Sequence, residues 1–290
     1  MSTSLTVDTG GNGGTQARRA PSGRQGSWVY TAFGVIILGI LLFPVYWMVN
    51  VSLQQGGAAA STPWFPTAIT WHGYVRAIHD QGGHLLTSLI VACGSVVFSI
   101  AVAAPAAYAL TIFRVRGGNV FLLGVLISQM IPGIVVANAL YGAYSKVGLL
   151  NSILGLILAD STTGIPFAIL ILRAFMRALP MSVVEAAWID GAGPLRTLVS
   201  VVMPMSRNAL VTAALFTFLF TWSDFLFALT LTTTDTVRPV TLGLYVYISS
   251  FINDWSSVMA TAVLASIPAI LLLIFAQRYV AAGTTTGAVK

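Results

Sequence analysis

The chain has 290 residues, of which 57% are hydrophobic and only 8% charged. Soluble domains carry about 25% charged residues, so this composition excludes a soluble globular fold and leaves an all-α polytopic membrane protein. The net charge of +6 comes without a basic stripe interleaved with aromatic residues, so nucleic-acid binding does not account for it.

Residues 1–27 are rich in Gly, Ser, Thr, Gln and Arg and predict a disordered tail. Six apolar stretches follow, at about 28–49, 85–111, 119–142, 152–174, 207–231 and 258–280. Each has roughly the twenty residues that a membrane-crossing helix requires. The first exceeds the roughly 7–15-residue core of a secretory signal. It is therefore read as a retained span, although Ala58-Ala59-Ala60 could mimic a cleavage site. Pro105, Pro132, Pro166 and Pro268 fall inside spans and predict kinks there. The expected organisation is a tail at 1–27, a six-helix domain at 28–281 with a polar loop at 175–206, and a second tail at 282–290.

Orientation follows from the basic residues. One side of the spans holds Arg18, Arg19, Arg24, Arg114, Arg116, Arg173, Arg177, Arg196, Arg207, Arg278 and Lys290, against Arg76, Lys146 and Arg238 on the other. This bias places both termini and the 175–206 loop in the cytoplasm and the 50–84 loop outside. His72, His79 and His84 in that outer loop have no other ligand type clustered with them, so no metal site is expected. Cys93 is the only cysteine; inside a span, it is expected to be a buried structural thiol.

The third span carries Gln129, Pro132 and Asn138, and the fifth carries Trp222 and Asp224. An aspartate at mid-membrane costs about 2.5–3.5 kcal/mol on the insertion scale, so it faces a bundle interior or a watery cavity. Two readings stay open for these residues. They bond neighbouring helices, at about 0.6 kcal/mol each, or they line a translocation pathway.

The polar island within the 175–206 loop is the most informative stretch. Ser182 stands three residues before Glu185, the spacing of a capping box. A helix is expected from about Val183 to Asp190, closed by Gly191 in a left-handed C-cap. Gly193 and Pro194 suit the start of a second helix. The first helix is too short to be stable alone in water, and Trp188 and Ile189 on it imply docking onto a partner.

Glu185-Ala186-Ala187, then Gly191, then Val201-x-Met203-Pro204 resembles the "EAA" loop of permease subunits in binding-protein-dependent ABC importers. Val201 and Met203 stand where that family has Ile and Leu. Leu85-Leu86-Thr87-Ser88-Leu89 resembles the opening of the family's second span, with Thr87 in place of Asn. Pro63-Trp64-Phe65-Pro66, Trp71-His72-Gly73-Tyr74, Gln277 to Gly283 and Thr286 to Lys290 are similar to the carbohydrate, maltose-type members. The resemblance covers about residues 28–290. It implies a MetI-like permease fold in the cell membrane and no enzyme activity or cofactor of its own. It also implies a second, related permease subunit, two ABC ATPase subunits and an extracytoplasmic sugar-binding protein. Glu185, Ala186, Ala187, Trp188, Asp190, Gly191 and Pro204 would couple to the ATPase. Gln129, Pro132, Asn138, Trp222 and Asp224 would line the sugar pathway, the tryptophan stacking on a sugar ring and the aspartate accepting hydroxyl hydrogen bonds.

Neither lysine lies in a Gly-rich phosphate loop, so ATP hydrolysis belongs elsewhere. Two rival readings remain at this point. An ion-coupled secondary transporter would call for an intramembrane acid–base pair and often a doubled repeat. A non-transporting membrane scaffold would need neither mid-span polar residues nor the coupling pattern.

Overall fold

The structure is a computed structural model and describes residues 27–54, 63–66, 68–113, 115–250 and 254–285. Of the expected tails at 1–27 and 282–290, residues 1–26 and 286–290 lie outside the described residues, as do the alanine run at 58–60 and Arg114, while Ser27 opens a helix and 282–285 continue one. Among the described residues every regular element is helical. Two units emerge, one ending at Tyr46 and one beginning at Trp47.

The first unit is most of α1 (Ser27–Ser52), a helix apolar on every side from Val29 to Phe43, as suits a helix in lipid. The second unit is built around α2 (His72–Ile112), α5 (Ile153–Met176) and α9 (Arg207–Trp222), with α12 (Trp255–Thr285) packed on α2 and α9. α2 alone has 41 residues. That is about 61 Å of helix, roughly twice a bilayer's hydrocarbon thickness. Its first turns, expected as loop, therefore extend beyond the span. Small residues let these helices approach closely. Ala103, Ala104 and Ala107 of α2 meet Ala168 and Ile169 of α5 and Ala209 and Ala213 of α9 in one buried cluster. Cys93 is exposed, contrary to expectation. The buried face of α2 runs through Ser88, Ala92, Ser95 and Ser99, and residue 93 points away from it.

Two of the six expected spans are broken rather than continuous. The third divides into α3 (Gly118–Ser128) and α4 (Gly133–Val147), bent by 95°. Pro132 is the N-cap of α4, so it starts a new helix instead of kinking an old one. The fifth is α9, an interruption at 223–225, and α10 (Leu226–Leu231). By contrast α2, α5 and α12 run unbroken through Pro105, Pro166 and Pro268. Four helices are long and apolar enough to cross a membrane singly, and two bent pairs, α3 with α4 and Pro194–Met205 with α9, raise the number to as many as six.

An element absent from the sequence reading is α11 (Val240–Ser250), which docks on the early turns of α2. The Val240 N–H donates to Ser88 Oγ at 2.8 Å. Tyr247 donates to Asp80 Oδ2 at 3.1 Å. Arg76 Nη1 bonds Asp254 Oδ2 at 2.7 Å, joining α2 to the start of α12. Asp254 also accepts from Ser256 and Ser257. Burial pushes its carboxyl up, but those hydroxyls and Arg76 outweigh burial and hold it below the ordinary carboxylate value.

Candidate functional site: the coupling segment and the helix breaks

The polar island folds as two helical arms. α6 (Met181–Ile189) is capped by Pro180, with no side-chain cap hydrogen bond. The expected Ser182–Glu185 capping box is therefore absent. Pro180 supplies an extended N-cap at φ −63°, and helix begins one residue before Ser182, which puts that hydroxyl inside the first turn. The other end follows the sequence. Gly191 has φ +80°. Its N–H donates to Trp188 O at 3.0 Å, and the Ala192 N–H donates to Ala187 O at 2.9 Å, the paired bonds of a Schellman motif.

The second arm starts at Pro194 in α7 (Pro194–Thr197), with Gly193 as its N-cap. It continues through a π-helical turn (Leu198–Val202) into α8 (Met203–Met205). In the π turn the Met203 N–H reaches back five residues to Leu198 O. Pro204 follows and has no N–H to continue an i−4 ladder. The segment then turns by 84° into α9.

Three faces of α6 serve three purposes, as the helical period dictates. Val184 and Ala187 turn inward, 1% and 9% exposed. Val184 joins Leu198 and Val202 in the same buried cluster as Leu172, Met176 and Ala209. Met181, Glu185 and Trp188 line a cleft against the α2–α3 connection. Trp188 stacks on Phe113 with centroids 6.2 Å apart. Ser182, Ala186, Ile189 and Asp190 face outward, Ile189 being 87% exposed. Ala187, expected on the docking surface, instead seats the helix on its own bundle, because it lies three residues from Val184 on the inner face. Pro204 is exposed at the far end of the segment.

The structure separates the five expected pathway residues. Gln129, Pro132 and Asn138 all lie exposed at or beside the α3–α4 break. Gln129 makes one long contact, Nε2 to Thr162 O at 3.5 Å. Met130, at the centre of the break, is 80% exposed. Trp222 is not a lining residue. It is buried, donates from Nε1 to Ala265 O at 3.0 Å and stacks on Phe218 at 5.4 Å. Its ring packs in the seam between α9 and α12. Asp224 caps α10, accepting from the Phe227 N–H at 3.3 Å and the Ala228 N–H at 3.1 Å.

The two breaks adjoin, which sequence reasoning missed. Leu226, the first residue of α10, lies so close to Gly133, the first of α4, that an added Cβ would come 3.1 Å from Leu226 Cδ2. A glycine directly after a mid-span proline was the available signal. Irregular backbone at membrane depth is tolerated only where protein or a water-filled cavity covers it. Asp224→Leu is expected to lose about 1–2 kcal/mol through the missing cap, whereas Asp224→Asn keeps an acceptor and most of the stability. Thermal unfolding of the purified transporter checks this; a wild-type midpoint in Asp224→Leu would show that the cap has no energetic role.

Comparison with known proteins decides the family. The family described as "Binding-protein-dependent transport system inner membrane component" matches residues 95–286. The chain belongs to this family. The permease is 32% identical over 269 residues to the diacetylchitobiose uptake system permease protein DasC of Streptomyces coelicolor, covering 91% of this chain and 96% of that protein. It is 30% identical over 272 residues to the trehalose transport system permease protein SugB of Mycobacterium tuberculosis, covering 92% and 99%. A solved structure of a bacterial ABC transporter involved in import of the acidic polysaccharide alginate superimposes with a TM-score of 0.78. That match has 24% identity and covers 90% of this chain and 98% of the other, and it shows the MetI-like fold. The permease is thus a multi-pass membrane transport subunit that works with a binding protein and is not itself an enzyme. The ion-coupled transporter and the scaffold are set aside.

Proposed function

We propose that this permease forms half of the translocation pathway of an ATP-driven carbohydrate importer and is coupled to a separate ATPase through residues 182–204. The carrying observation is the anchoring of that segment. Val184, Leu198 and Val202 are buried among side chains of α2, α5 and α9, while Ala186 and Ile189 face outward. A partner that grips Ala186, Ile189 and Asp190 pulls on the helices that build the bundle. It shifts the access state only if it binds the two states with different affinity. Glu185 and Trp188 stiffen the side of the arm, Gly191 sets its end and Pro204 ends the second arm.

Carbohydrate as cargo is supported by the relatives named for diacetylchitobiose and trehalose. A second, related permease subunit is supported by the α3–α4 break, where Gln129, Pro132 and Asn138 lie exposed in this chain and require cover or water. Two ABC ATPases and an extracytoplasmic sugar-binding protein complete the assembly. A cytoplasmic position for both termini and the coupling segment is supported by the bias of basic residues.

The test is reconstitution of the assembled transporter in proteoliposomes, with hydrolysis measured as mono- and oligosaccharides are added with the binding protein. Sugar-stimulated ATP hydrolysis with uptake is expected. No stimulation by any sugar overturns the cargo class. Labelling of an Ile189→Cys variant by an impermeant reagent from outside intact cells overturns the orientation.

A further inference from the structure

The cleft beside α6 has a composition that coupling does not explain. Its volume is about 1020 Å³, and it lies between the end of α2, the start of α3, the end of α5 and α6. Arg173, in the last turn of α5, and Arg177, its C-cap, both line it, one helical turn apart. Among the described residues neither has a carboxylate at ion-pair distance. Arg173 Nη2 donates to Asn119 Oδ1 at 3.2 Å, while its buried Nε has no hydrogen-bond partner. Two like charges held side by side in one concave site, with a buried donor unused, call for an anion. The first turn of α3 adds to this. Asn119 and Val120 line the cleft, and N–H groups in a first turn have no intrahelical acceptor and favour negative charge.

Depth and lining choose among anions. Arg173 stands twenty residues after Ile153, the first residue of α5. That is about 30 Å, the thickness of the hydrocarbon layer. With Ile153–Met176 as a membrane-crossing helix, its arginine end falls at the level of lipid phosphates. Leu110, Ile112, Val120 and Met176 give the same cleft an apolar wall, which an inorganic ion would not need. Among the described residues Glu185 is the one carboxylate in the lining, placed to accept from a headgroup hydroxyl.

We propose that this cleft holds the headgroup of an anionic glycerophospholipid, its phosphate between Arg173 and Arg177 and the first carbons of its acyl chains against the apolar wall. Trp188 and Glu185 belong to both the cleft and α6, so the bound lipid braces the coupling arm at the membrane surface. This holds whatever the transported cargo is.

The experiment uses the purified transporter containing the full chain, stripped of lipid in detergent. Dioleoyl phosphatidylglycerol, dioleoyl phosphatidylcholine and inorganic phosphate are titrated separately, and occupancy is read by native mass spectrometry. A saturable phosphatidylglycerol site is expected. In the double variant Arg173→Gln, Arg177→Gln its affinity falls roughly thirtyfold, the scale set by two basic residues near a bilayer surface. The Arg173→Lys, Arg177→Lys variant retains both charges and stays within about threefold of wild type, since a Lys or an Arg near an anionic surface contributes about equally. Equal affinity in the glutamine variant, or equal binding of phosphatidylcholine and phosphatidylglycerol by wild type, overturns the proposal. Phosphate alone binding as tightly as the lipid also overturns it, because the apolar wall would then contribute nothing. If the glutamine variant fails to assemble, the headgroup comparison and the lysine variant still decide.

Discussion

Gly191→Val is expected to reach the membrane, keep the proposed second permease subunit and lose sugar-stimulated ATP hydrolysis. The site itself has room, since an added Cβ meets nothing within 4 Å. The difficulty is conformational. At φ +80° a β-branched residue is a strained outlier, and left-handed backbone alone costs about 1–2 kcal/mol for an L-residue. The chain relieves that strain by surrendering the two bonds that close α6, from the Gly191 and Ala192 N–H groups to Trp188 and Ala187. The nine-residue helix then frays from the end that carries Ile189. Val184, near its other end, stays seated among Leu172 and Met176, so the bundle is untouched. ATP hydrolysis independent of the binding protein also counts as the expected loss of coupling. Gly191→Ala has the same strain without branching and should lie between wild type and valine. Normal sugar-stimulated turnover and uptake in Gly191→Val would show that this arm is not the coupling element.

That prediction survives from sequence to structure because a C-terminal glycine acts locally. Its φ is fixed by the bonds of one helix end, and those are visible in Glu185 to Gly193 alone. The N-terminal capping box failed for a related reason. Two local signals competed, and Pro180, already extended, displaced Ser182 as the cap. The spans were legible as apolar runs, but their continuity was not. Pro105, Pro166 and Pro268 sit inside unbroken helices while Pro132 begins a new one. The same residue type has opposite outcomes because neighbouring helices re-satisfy the freed carbonyl in some places and not in others. Trp222 was misread as lining because its role depends on Ala265, 43 residues away. α11 is short, follows irregular chain at 238–239 and is held by Ser88 and Asp80 of a distant helix, so no local pattern announces it.

The proposed coupling segment can work as a lever only if α5 and α9, which enter and leave it, are clamped together. Gly164 is that clamp. A Cβ built there would stand 2.7 Å from Ser99 Oγ and 2.8 Å from Thr217 Cγ2, so α2, α5 and α9 meet at one point where only hydrogen fits. Ser99 and Thr217 are fully buried. Gly164→Val adds three carbons where there is no space for one. Overpacking of this kind costs about 1–3 kcal/mol. In a bilayer, where small residues are what allow helices to pack, the strain is expected to separate α5 from α9. The expected result is a lower thermal midpoint of the purified transporter and loss of uptake beyond what reduced protein level explains. A compensating series tests the cause. Gly164→Ala alone should show the defect in milder form. Adding Thr217→Ser deletes the methyl at 2.8 Å, and adding Ser99→Ala deletes the oxygen at 2.7 Å. Ser99 Oγ and Thr217 Oγ1 have no hydrogen-bond partner, so removing the serine oxygen breaks no hydrogen bond. The triple variant should therefore recover most of the midpoint and the uptake. If it is no better than Gly164→Ala, the contact at this crossing does not limit stability, and the clamp between α5 and α9 lies elsewhere in the alanine-rich cluster below it.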